Sequence, residues 1–109
     1  MADVTKVEVS ANSSAQVISE ITDQSQISRI IRFIDERRSR WCSPEFGSLP
    51  EARVTLLLQN RNDGKGKIGL GKGFFVAEFA NGHYKMDLSE NEVRDFLDLL
   101  GVNEELVFG

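Results

Sequence analysis

One cysteine, one histidine and two prolines are all that this chain of 109 residues contains of those types. A lone Cys42 cannot close an internal disulfide, so nothing in the cysteine usage points to an oxidising compartment. With one His and one Cys there is no zinc set, and a Ser-His-Asp triad would have to rest on His83, which follows directly after a turn. No window approaches the roughly 18 apolar residues that a membrane span requires, and the first twenty residues alternate instead of forming a signal-peptide core. The expectation is a cytoplasmic chain that does not span a membrane, and the initial Met argues against a removed leader. Those absences exclude no binding function. They do leave catalysis and metal binding without residues to carry them.

Hydrophobic residues are 40% and charged residues 28% of the chain, proportions that support a folded core in a single domain. The net charge of −4 hides an asymmetry. Between Arg29 and Lys72 there are ten basic and five acidic residues, a local charge of +5, and the rest of the chain carries −9. Such a molecule is dipolar in sequence, and dipolar in space if the segments fold onto different faces.

Residues 4–10 alternate as a half-buried strand, an edge or hairpin strand, and residues 11–14 supply a turn. Gln16 to Ile21 either extends that hairpin or leads into a helix. Asp23 and Gln26 have the spacing of a capping box, after which Ile27, Ile30, Ile31, Ile34 and Trp41 form one helical stripe. Arg37, Arg38 and Arg40 fall where cations complement the negative end of the helix dipole. Ser43-Pro44 and Gly47 to Pro50 end it, and residues 42–52 read as a loop. A strand over 53–60 follows. Asn62-Asp63-Gly64 signals a hairpin, one return strand runs from Lys67 to Phe79, and Asn81-Gly82 signals a second hairpin before Tyr84, Met86 and Leu88. Ser89 to Glu92 is a capping box for a helix carrying Val93, Phe96, Leu97 and Leu100, with Gly101 as its terminator. Residues 103–109 are a final strand or a docking tail. These elements predict a single α+β domain over 1–109, a two-layer sandwich with an antiparallel meander sheet of three to five strands and two helices on one face.

The glycine- and lysine-rich segment Gly64 to Gly73 offers two matches to phosphate-binding motifs. Gly66 to Lys72 has P-loop spacing, but Gly73 stands where Ser or Thr holds magnesium, and Phe74-Phe75-Val76 reads as a strand where a helix is required. Gly64, Gly66 and Gly69 fit a GxGxxG that lacks its helix in the same way. Gly69, Gly71 and Gly73 share one parity, so on a regular strand they leave a bare stripe for a neighbouring aromatic, a partner's backbone or a bend. Beside it stand Phe74 and Phe75. We take Gly69, Gly71, Gly73, Phe74, Phe75, Arg37, Arg38, Arg40 and Trp41 as candidate partner-binding residues, with no catalytic, cofactor or metal residues. A sequence pI of about 5.0 and the lack of an RNA-binding aromatic signature count against nucleic acid.

The run Gly66-Lys67-Ile68-Gly69-Leu70-Gly71 through Phe75-Val76, then Asn81-Gly82-His83-Tyr84, preceded by an apolar helix ending near Trp41, resembles small bacterial immunity proteins of polymorphic-toxin systems. The likeness implies an intracellular inhibitor that binds a toxin and has no catalysis of its own. The leading expectation is therefore a non-enzymatic protein-binding module. The alternatives are a small-ligand or nucleotide-binding domain using the Gly64–Gly73 hairpin, and a homodimer formed through an edge strand or the open sheet face.

Overall fold

The computed structural model describes residues 4–11, 16–42, 52–60, 65–79 and 82–108. In chain order these form β1 (Val4–Ala11), β2 (Gln16–Ile21), α1 (Gln24–Asp35), a 3-10 turn (Arg38–Arg40), β3 (Val54–Asn60), β4 (Lys65–Gly71), β5 (Phe74–Phe79), β6 (Gly82–Asp87), α2 (Glu90–Leu100) and the short α3 (Glu105–Phe108). The sheet order is β2-β1-β3-β4-β5-β6, and every neighbouring pair is antiparallel. β1 lies between β2 and β3 and opposes both, so those two run parallel and α1 carries the chain across β1 from one to the other. The α+β class agrees with the sequence reading, but six strands exceed the three to five expected.

Three differences account for the count and the connections. β1 is a hairpin strand and an interior one, not an edge, because β3 covers its other side. Gln16 to Ile21 is a strand in its own right. The stretch from Lys67 to Phe79 is two strands: Gly71 pairs with Phe74 across a two-residue turn at Lys72-Gly73, and Gly73 takes φ +108°, a backbone conformation that favours glycine. The turn signals at residues 12–14, Asn62-Asp63-Gly64 and Asn81, and the proline loop over 43–51, lie outside the described residues.

Alternation sets the inward face of the sheet. One cross-strand row reads Ala11, Val54, Leu70, Phe75, Met86, and the next reads Val9, Leu56, Ile68, Ala77. All nine are buried. Both long helices close over this face, α1 with Ile27, Ile30, Phe33 and Ile34 and α2 with Val93, Phe96, Leu97 and Leu100. At the centre, Phe75 of the sheet meets Phe96 edge-on at 4.8 Å, and Phe33 lies 5.0 Å from Phe96 between ring centroids. Each such ring contributes roughly 1.5–3 kcal/mol by leaving water. Among the described residues no polar or charged residue is buried.

Asp23 caps α1 by accepting from the Gln26 amide at 3.2 Å, as its position requires. The Gln26 side chain does not reach back; its Nε2 donates to the Leu99 carbonyl at 2.9 Å and ties the start of α1 to the end of α2. α1 stops at Asp35, so Trp41 lies off the helix, a correction to the stripe read from the sequence. The cause is local: Arg37 Nη1 donates to the Phe33 carbonyl at 2.8 Å and satisfies a helix-end acceptor while the chain turns into the 3-10 segment. In α2 both halves of the Ser89/Glu92 capping box are made, and Gly101 ends the helix at φ +69°. Residues 105–108 are helical, with Val107 buried, and not a strand. No helix is long and apolar enough to cross a membrane.

Candidate functional site

The basic end of α1 is where the sequence placed four candidate residues, and the fold spends most of them internally. Arg37 Nε lies 2.7 Å from Glu92 Oε2, and its guanidinium covers the Phe33 ring at 3.7 Å from the centroid. Arg40 donates through Nη1 to the same oxygen at 2.8 Å and through Nη2 to Oε1 at 3.2 Å, and it also reaches the Asp87 carbonyl. Glu92 in turn accepts from the Ser89 amide at 2.9 Å. The Arg40 guanidinium first, then Ser89 and Arg37, hold the Glu92 carboxyl well below the usual carboxylate range. Trp41 stacks on Phe75 at 6.2 Å and is half-buried. Arg38 is the most open of the four, with 78% of its side chain exposed and a loose 3.7 Å approach to Asp35, while Arg40 keeps 42% of its side chain exposed despite its contacts. Arg37 and Arg40 therefore brace α1 against α2.

The glycine stripe is filled from within the chain. On the outward face of β4, a Cβ at Gly71 would fall 2.0 Å from Phe74 Cζ, so the Phe74 ring lies directly on that glycine. At Gly69 a Cβ would meet Ala52 Cβ at 2.6 Å and Val76 Cγ2 at 2.8 Å. Gly73 serves the turn, and its carbonyl accepts from Leu88 at 2.8 Å. Phe74 is half-buried on the outer face with Lys85 Nζ 5.9 Å from its ring centroid, whereas Phe75 points the other way and is fully buried. Phe75 is thus a core residue and has no surface to offer a partner. β4 is paired on both sides, by β3 and by β5, so its backbone donors serve the ladders and do not converge on an anion. The chain after Gly73 is β5.

The two edges of the sheet are treated differently. Beyond β6, Cys42 pairs with Lys85 in both directions, its amide donating at 2.9 Å and its carbonyl accepting at 2.8 Å. Beyond β2, no strand lies among the described residues. β2 also carries the exposed large hydrophobic residues of the described chain, Val17 at 50% and Ile18 at 43%. In a regular strand one of two consecutive side chains faces the core. Here Val9 pairs with Ser19 and Ser10 with Val17, which leaves Ile18 as an extra residue, and this bulge lets both side chains face water. Lys6 of β1 pins the strand from the side, 3.2 Å from Glu8 and 3.3 Å from Glu20, and the two carboxylates raise its pKa. The sequence signal was present as an apolar pair, Val17-Ile18, between polar neighbours.

A second surface feature is a groove of about 690 Å³ between α1 and α2, floored by Phe33 and Leu99 and walled by Arg29 and Arg32 on one side and Asp95 and Asp98 on the other. His83 is exposed, 3.9 Å from Glu78. No family model, curated protein or solved structure matches this chain.

Proposed function

We propose that this chain is a non-enzymatic protein-binding module that takes up an extended segment of its partner along β2. The observation that carries the reading is the β2 edge, which no strand covers among the described residues and where a row of ladder donors and acceptors sits beside two exposed apolar side chains. An extended segment added there gains main-chain hydrogen bonds, and Val17 and Ile18 supply apolar contact and selectivity. The partner segment is accordingly a β-forming stretch with apolar residues on the side that meets Val17 and Ile18. The nine residues nominated from the sequence contribute less, because packing uses all of them except Arg38 and part of Phe74. In its specific form the module is an inhibitor of a bacterial toxin, working in the cytoplasm, as the likeness to immunity proteins implies.

Quantitative affinity capture from native lysate at low salt, with the wild-type chain and a Val17→Lys/Ile18→Lys variant side by side, tests this. The variant is expected to retain wild-type far-UV circular dichroism and to lose partner recovery by roughly tenfold or more, the scale of losing interface anchors. Equal recovery of the same stoichiometric partner by both chains would refute the assignment to β2. Recovery of none by the wild type would refute the binding role.

A further inference from the structure

The groove between α1 and α2 has walls of opposite sign. Arg29 and Arg32 line the α1 side and Asp95 and Asp98 the α2 side, and within the described chain none of the four makes an ion pair. Several neighbouring charges are already committed, Arg37 to Glu92, Arg94 to Glu90 and Glu104, and Asp23 to its helix cap, while Asp35 is approached only loosely by Arg38. Glu36 stands at the far end of the α1 wall. The two helices are antiparallel, since Gln26 contacts Leu99 at one end and Arg37 contacts Glu92 at the other. Between those two contacts, Arg29 comes close to the level of Asp98 and Arg32 close to the level of Asp95.

We propose that this helical face binds a second copy of the chain in a two-fold dimer whose axis runs along the helices. Such a rotation lays α1 of one protomer over α2 of its partner and preserves the level of every residue along the axis. Arg29 and Arg32 then face the partner's Asp98 and the partner's Asp95, and the same contacts recur on the other side of the axis. Rotation about the perpendicular in-plane axis would set α1 on α1 and bring like charges together, so the charge pattern selects one symmetric arrangement. Because the facing groups are charged and lie at the surface, association falls as salt rises. This surface is separate from the β2 edge, and neither proposal depends on the other.

Sedimentation velocity over about 10–500 µM protein, at roughly 20 mM and roughly 500 mM salt, reads the outcome. The wild-type chain is expected to dimerise at low salt and to bind itself at least about tenfold more weakly at high salt. Arg29→Glu/Arg32→Glu and Asp95→Lys/Asp98→Lys are each expected to be monomeric, because each sets like charges face to face. Mixed in equal amounts they should form a heterodimer, since α1 of the first then meets α2 of the second with opposite sign on both sides of the axis. If a reversed variant does not fold by circular dichroism, Arg29→Gln/Arg32→Gln takes its place and should weaken self-association with a shallower salt dependence. A wild-type chain that stays monomeric throughout, a variant that dimerises as wild type does, or a mixture that stays monomeric would overturn the proposal. So would loss of the dimer in Val17→Lys/Ile18→Lys, which should dimerise normally.

Discussion

Glu92 accepts from Arg37, Arg40 and the Ser89 amide with one carboxylate, and through it the 3-10 turn after α1 is fastened to the first turn of α2. Its folded pKa is depressed below the ordinary value of 4.5. A depressed carboxylate stabilises the fold fully above its unfolded pKa and loses that contribution as pH falls toward the folded value. Glu92→Gln keeps a side chain able to complete the capping box but removes the charge shared by the two arginines. The variant is expected to be about 1–2 kcal/mol less stable than wild type at pH 7. The gap should narrow steadily as pH drops below 4.5, toward nothing in strong acid. Urea titrations at a series of pH values check this, and a gap that stays constant with pH would show that the ion pairs contribute nothing. The arginines read from the sequence as recognition residues are, at this scale, partners of an acid 50 or so residues away, a pairing that no local pattern encodes.

β4 shows how an element can be legible in composition and yet misread in extent. Its glycines are close-approach positions, but the two differ in what approaches. Phe74 presents the far end of a half-exposed ring to Gly71 and can swing aside, whereas Ala52 presents a Cβ to Gly69 that no rotamer change removes. Gly69→Ala is therefore expected to cost about 2–3 kcal/mol and Gly71→Ala about 1 kcal/mol. Combining Gly71→Ala with Phe74→Ala should be less destabilising than the sum of the two, as thermal or urea unfolding of the four chains would register. The start of α1 and the whole of α2 were readable because Asp23, Ser89, Glu92 and Gly101 act on backbone groups within a few residues. The end of α1 was not, since no Gly or Pro lies between Asp35 and Trp41 and the break is made by Arg37 turning to Phe33 and Glu92. The Lys72-Gly73 turn was hidden because Gly73 continues the parity of Gly69 and Gly71 and so reads as a strand position. β2 was left open by its bulge, which removes the alternation that identifies a strand. The α+β class came through because each local error left the inward row of apolar residues in place.

Over the described molecule, part of the basic middle of the chain meets part of its acidic C-terminal end. Folding sets α1 beside α2, so Arg37 and Arg40 are neutralised against Glu92 and the remaining arginines of α1 look across a groove at Asp95 and Asp98. At the helical face, charges of opposite sign line one groove, an arrangement suited to short-range complementarity. At the sheet, the asymmetry is one of edges: Cys42 bridges β6 at Lys85, whereas among the described residues no strand pairs beyond β2, whose Val17 and Ile18 face water. That asymmetry is the reason the chain is read as a binder of extended segments. Amide hydrogen exchange of the chain, alone and with its captured partner, addresses this most directly. Binding by strand addition predicts that amides of Gln16–Ile21 gain protection of at least about tenfold while those of α1 and α2 change little. Protection confined to the helices or to β4 and β5, with β2 unchanged, would contradict it.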